Sequence, residues 1–169
     1  MKKKIILLNI SKSLAEIDWI LPVLYELKSK YKVVTIFQNS NIYKTLTDNK
    51  ILFKLWDKVS FDYSIDNKID KFRRFFSKKI NQKYEIKKYF LKKNIDISEI
   101  KILLSEFGTY SWLFDEIKKF DKKKLTIHFP TSSFIFGLEK KNIKIKYRLN
   151  GDYLLLCNKL DINFWEKRI

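Results

Sequence analysis

Five short apolar runs dominate the chain: "KIILLNI" (4–10), "KVVTIFQN" (32–39), "IKILLSEFG" (100–108), "KLTIHF" (124–129) and "DYLLLCN" (152–158). Runs this continuous fit strands covered on both faces. The segments between them carry helical spacing. Ser13-Leu-Ala-Glu16 has the separation of a capping box, and Ile17, Ile20, Leu21, Leu24 and Leu27 then mark an apolar stripe on a helix over 14–30, with Pro22 inside it. A short helix opened by Ser40 follows the second strand. The stretch 51–64 is less regular, with a strand near Val59–Phe61. Residues 67–93 read as a basic helix whose Ile69, Phe72, Phe76, Ile80, Tyr84, Tyr89 and Leu91 pack on the core. Helices over 109–123 and from Asp161 onward complete the series. Strands alternating with helices predict an α/β fold, a doubly wound and mostly parallel sheet with helices on both faces. Residues 1–169 are read as one domain.

Composition narrows the classes. The chain has 169 residues with only three glycines and two prolines, which disfavours long disordered linkers. No stretch approaches the roughly 20 apolar residues that cross a bilayer. The start resembles a signal peptide only from Ile5 to Leu8, because Asn9 interrupts a run that would need about 7–15 apolar residues. A cytoplasmic location is therefore expected. Cys157 is the single cysteine, so no intrachain disulfide forms, which fits a reducing compartment. The net charge of +17 raises nucleic acid or an anionic membrane as partners. Only four of the 36 basic residues are Arg, the residue best suited to bidentate base and phosphate contacts. A nucleic-acid partner is disfavoured on that ground. The Lys and Arg residues of 67–93 form either an ordinary solvated face or a peripheral contact with an anionic membrane, with Phe75, Phe76 and Tyr89 near the interface.

In an open parallel sheet, sites form beyond the carboxyl ends of the strands. Polar residues stand at four such ends: Asn9 and Ser11, Gln38-Asn39-Ser40, Ser105-Glu106, and His128 with Thr131, Ser132 and Ser133. His128 is the only histidine. A histidine and a glutamate arriving from adjacent strands suit proton transfer, with Glu106 orienting the imidazole of His128. Asn9, Ser11, Thr131, Ser132 and Ser133 are the candidate substrate-binding residues, since hydroxyls and loop N–H groups hold sugars or phosphates. A plainer account exists: strand ends are polar because their backbone groups need partners, and His128 then only bonds a neighbouring loop. No G-x-G-x-x-G and no G-x-x-x-x-G-K-[ST] occurs, which disfavours a dinucleotide site and a P-loop. No Cys/His cluster and no G-x-S-x-G elbow occurs, so neither a zinc site nor a hydrolase triad is expected. No metal and no cofactor are expected.

The opening "KKIILLNIS", the helix within "DWILPVLYELKSKYKVVTIFQN", and the later "ILLSEFG", "LTIHFPTSS" and "DYLLLCNKLDINFWEKR" together resemble the N-terminal lobe of GT-B type glycosyltransferases. Within that fold they are similar to the UDP-N-acetylglucosamine 2-epimerase and CDP-glycerol glycerophosphotransferase groups. The resemblance covers the order of elements over most of the chain. It implies a Rossmann-like lobe of a protein of cell-envelope polysaccharide assembly that contributes the acceptor side of a cleft. The nucleotide-sugar or CDP-linked donor then binds a second lobe or a partner chain, and the acceptor is a glycan. By position His128 corresponds to a strand-end histidine that serves as base or phosphate contact, although Phe129 and Pro130 follow it where Gly is common in the family. By the resemblance, Ile169 lies about where the linker to a second lobe would begin. Two other readings stay open: a small non-catalytic α/β binding domain, and a basic protein binding an anionic membrane or nucleic acid.

Overall fold

The computed structural model describes residues 3–82, 85–107, 112–130 and 151–156, together with 162 and 166. The described elements are β1 (Lys4–Ile10), α1 (Ala15–Leu27), β2 (Tyr31–Phe37), α2 (Ser40–Asp48), α3 (Lys50–Asp57), β3 (Ser60–Ile65), α4 (Lys68–Lys79), α5 (Ile86–Leu91), a 3-10 turn (Ile97–Glu99), β4 (Ile100–Glu106), α6 (Trp112–Phe120), β5 (Leu125–Phe129) and β6 (Tyr153–Leu154). The strands form one sheet in the order β3-β2-β1-β4-β5-β6, and every pairing is parallel. The predicted α/β class is the one found.

Two apolar layers hold helices on the two faces. Because strand side chains alternate, β1 sends Ile6, Leu8 and Ile10 to one face and Ile5 and Leu7 to the other. On the first face Ile17, Ile20, Leu21 and Leu24 of α1 join Ile42 and Leu46 of α2 and Leu52 and Trp56 of α3. On the second face Ile86, Tyr89 and Phe90 of α5 meet Leu113, Phe114 and Ile117 of α6. Each such side chain, fully buried, contributes about 1.5–3 kcal/mol of transfer free energy. These layers fix the sheet and leave its carboxyl edge to the loops.

The middle of the chain departs from the expected pattern. Residues 50–57 form α3, where the sequence shows little regularity. Asn49 ends α2 and also caps α3, its side chain accepting from the Leu52 N–H at 3.1 Å. The expected single helix over 67–93 is two helices. Asn81 and Asn94 take the left-handed conformation, with φ of 52° and 54°, and each follows a helix end. Asparagine tolerates that conformation better than most residues. The expected packing of α4 is also overturned. Ile69, Phe72, Phe76 and Ile80 are exposed, and no residue of the helix is buried. Leu91 is exposed as well, whereas Tyr89 packs in the second layer. Tyr84, Cys157, Phe164 and Trp165 lie outside the described residues.

Candidate functional site

The strand order reverses between β1 and β4, so the crevice beyond their carboxyl ends is where an open sheet of this kind places a ligand. One wall of that crevice is the loop from β1 to α1. Its backbone N–H groups converge at the start of a helix, the usual cradle for a phosphate. Here the cradle holds a side chain of the chain itself. The carboxylate of Glu16 accepts from the N–H of Ser11 at 3.1 and 3.2 Å, from that of Ser13 at 3.0 Å, and from that of Lys12. Glu16 is fully buried. Burial pushes its carboxyl up from the ordinary 4.5, the three N–H groups pull it back, and the charge of Glu106 adds to the rise. The Ser13–Glu16 spacing thus gives the glutamate half of a capping box, extended to two further N–H groups.

The opposite wall is the end of β4. Glu106 is almost buried, and its carboxylate pairs with Lys12 Nζ at 2.7 Å. Lys12 stays half exposed, so the pair sits where the crevice meets solvent. Glu16, Lys12 and Glu106 therefore gather at the switch point on the face of the sheet covered by α1.

His128 belongs to the other face. In the β4–β5 register Ser105 stands opposite His128, and Glu106 opposite Phe129. Leu104 and Phe129 lie in the first layer and Leu103 in the second. Alternation then sends Glu106 to the α1 face and both Ser105 and His128 to the reverse face. The arrangement expected from the sequence, with Glu106 orienting the imidazole, is corrected by this parity. The partner at Nδ1 is Ser105 Oγ, 3.1 Å away. His128 is only 4% exposed, with Phe107 edge-on to its ring and Gly151 lying against it.

His128 is one end of a polar row that crosses the sheet. Gln38 Nε2 donates to Asn9 Oδ1 at 2.9 Å, Asn9 stands opposite Ser105, and Ser105 meets His128. Asn9 is fully buried, and its Nδ2 has no hydrogen-bond partner among the described residues. Of the candidate binding residues, Asn9 therefore lies within the sheet, and Ser11 lies in the cradle loop, half-buried. Thr131, Ser132 and Ser133 lie outside the described residues. Sequence reasoning missed Lys12 as the partner of Glu106 and Glu16 as the occupant of the cradle. The capping-box spacing was the available signal for Glu16.

A cavity of about 790 Å³ lies at the opposite, amino edge of the sheet, lined in part by Lys87, Asp96, Lys101, Phe120 and Lys124. Its buried lysine is structural. Lys124 Nζ donates to the carbonyls of Ile97 at 2.9 Å and Ile100 at 2.8 Å and pairs with Asp121 at 3.6 Å. Burial pushes its amine below the ordinary 10.5. Among the described residues no cluster of three His, Cys, Asp or Glu side chains could hold a metal ion. No described helix is long and apolar enough to cross a membrane.

Compared with protein-family models, with curated proteins and with solved structures, the chain finds no match.

Proposed function

We propose that the chain is the acceptor-side lobe of a GT-B-like glycosyltransferase of cell-envelope polysaccharide biosynthesis, working on the cytoplasmic side of the membrane and in peripheral contact with it. The observation that carries this reading is the filled cradle at the switch point. A lobe that bound a nucleotide diphosphate would offer its loop N–H groups to the phosphates. Here the Glu16 carboxylate occupies those donors, and the Glu106 carboxylate stands beside it. Two carboxylates repel a phosphate donor and suit the hydroxyls of a sugar, which donate to them. The donor then binds a second lobe or a partner chain across the crevice.

Within this reading Glu106 is the candidate base, because it reaches the solvent edge beside Lys12. Ser11 and Lys12 are the candidate glycan contacts. His128 is a positioning residue that ties β5 to β4 through Ser105. The test is an amide NMR titration of the labelled chain with envelope glycan fragments, and separately with nucleotide-sugars and CDP-glycerol. Shifts at Ser11–Ser13 and Glu106–Phe107 with glycan alone support the reading. Tight binding of the nucleotide donors at the same residues overturns it.

A further inference from the structure

Helix α4 is attached to the protein the wrong way round for a globular helix. Its three least exposed residues are Asp70, Arg74 and Ser77, all polar and at i, i+4, i+7 spacing. This polar side faces the body. Arg74 holds the buried Asp66 through two bonds of 3.0 and 2.7 Å, and its guanidinium lies 3.8 Å from the centroid of the Trp112 ring. Lys71 Nζ donates to the Gln38 carbonyl at 2.6 Å. The apolar side faces away: Ile69, Phe72, Phe75, Phe76 and, just past the helix end, Ile80 are 46–62% exposed. Phe76 packs at the surface against its neighbours on the same helix, with ring centroids 4.5 Å from Phe72 and 6.3 Å from Phe75. An amphipathic helix normally turns that stripe inward.

Charge identifies what covers it. The twelve residues of α4 include six basic side chains and one acidic one. Lys68, Arg73 and Lys79 are exposed beside the apolar stripe, and Lys79 Nζ lies 4.8 Å from the centroid of the Phe75 ring. Aromatic residues rimmed by lysine and arginine on one exposed face are the pattern of an interfacial helix, which sinks its apolar side into the headgroup boundary while its cations meet anionic lipid. A second copy of the chain is a poor occupant, because two molecules of net charge +17 repel. We infer that α4 docks the protein on an anionic phospholipid bilayer through Phe72, Phe75 and Phe76. Tyr89, expected at such an interface, is buried in the core and takes no part. The inference rests on the helix alone, and vesicles carrying no glycan test it separately from the acceptor reading.

The experiment is sedimentation with vesicles of phosphatidylcholine alone and of two parts phosphatidylcholine to one part phosphatidylglycerol. The expected result is binding to the phosphatidylglycerol vesicles at least about tenfold tighter than to the neutral ones, lost as salt rises from about 0.05 to about 0.5 M. Phe72→Ser with Phe76→Ser, and separately Lys68→Glu with Arg73→Glu, each weaken it by about tenfold or more. Ile51→Ser, an exposed apolar residue on α3, leaves it unchanged. All these positions are exposed, and unchanged unfolding midpoints show that the variants fold. Phe76→Trp adds a spectroscopic reading, since its emission shifts to the blue on the anionic vesicles. Equal affinity for both vesicles, no binding, or wild-type binding by the double phenylalanine variant overturns the inference. So does a self-association that the same variant dissolves without any vesicle binding.

Discussion

Glu106 and His128 end neighbouring strands, yet their side chains leave the sheet on opposite faces, because the register sets Ser105 rather than Glu106 against His128. Glu106 thereby pairs with Lys12 at the switch point, and His128 meets Ser105 on the reverse face of the sheet. The imidazole joins three strands: it meets Ser105 of β4, belongs to β5, and lies under Gly151 at the approach to β6.

Gly151 has no room for a methyl group. A Cβ there would stand 2.5 Å from His128 Cδ2, 2.8 Å from Nε2 and 3.1 Å from the Thr126 carbonyl oxygen. Gly151→Ala is expected to destabilise the fold by about 1–3 kcal/mol through overpacking. In a His128→Ala background the same change costs clearly less, because the ring that blocks the methyl is gone. Urea unfolding of the four members of the double-mutant cycle measures that coupling, and additive costs would refute it.

Arg74→Ala strands a buried carboxylate. The Asp66 side chain is 1% exposed, and Arg74 donates to both of its carboxylate oxygens in a bidentate fork. Removing one partner of such a pair costs about 3–5 kcal/mol, whereas a matched apolar replacement is often neutral. Arg74→Ala is therefore expected to lower stability by about 3 kcal/mol, and Asp66→Leu with Arg74→Met to recover most of it. Chemical denaturation checks both. A cost below about 1 kcal/mol for Arg74→Ala would show that the cluster around Lys93 and Asp70 compensates.

Five of the six strands were legible because each lies in a continuous apolar run, and β1 and β4 fall within two residues of their sequence ranges, whereas β3 alternates polar and apolar residues. The stripe on 67–80 was equally legible, but periodicity states only that a stripe exists. Which way it faces was decided by the Asp66–Arg74 pair, and Asp66 lies outside the helix. The break at Asn81 was hidden because helical spacing of aromatics continues across it. At the site, the polar strand ends could be read, while the pairing of Glu106 with Lys12 could not. That pairing depends on strand register, where a shift of one residue exchanges the faces.

Asp152 gives the fold an acid-sensitive edge. Its carboxylate accepts from the Thr126 N–H at 2.7 Å and pairs with Lys118 at 3.0 Å, joining the entry to β6 with β5 and α6. The Thr126 N–H bond holds its carboxyl below the ordinary 3.8, and Lys118 and His128 act in the same direction. A depressed carboxyl contributes stability above its unfolded value and loses it as pH falls through the folded one. Wild type is thus expected to exceed Asp152→Asn in stability at neutral pH. The gap closes as pH drops below 3.8. Thermal unfolding of both proteins along a pH series checks this, and a gap that widens toward acid would contradict it.

Glu16 offers the most direct test of how the crevice was adapted. Three consecutive loop N–H groups, those of Ser11, Lys12 and Ser13, end on its carboxylate. Glu16→Ala leaves partly buried donors without that acceptor, at a cost of about 1 kcal/mol. An anion can then take the place of the carboxylate, since the donors and the start of α1 remain. The variant is expected to regain stability with added sulfate at constant ionic strength, while wild type stays unresponsive because its cradle is full. Glu16→Gln should lose stability and respond less, because the amide still fills the space and turns a donor toward donors. The measurement is the unfolding midpoint against sulfate, with chloride balancing ionic strength. A sulfate response confined to Glu16→Ala would mean that the loop is a phosphate cradle closed by one side chain, which removes nucleotide phosphates from this lobe and leaves the crevice to a neutral, hydroxyl-bearing ligand. A flat response would mean that Glu16 only caps α1, and the argument for an acceptor-side lobe would lose its main support.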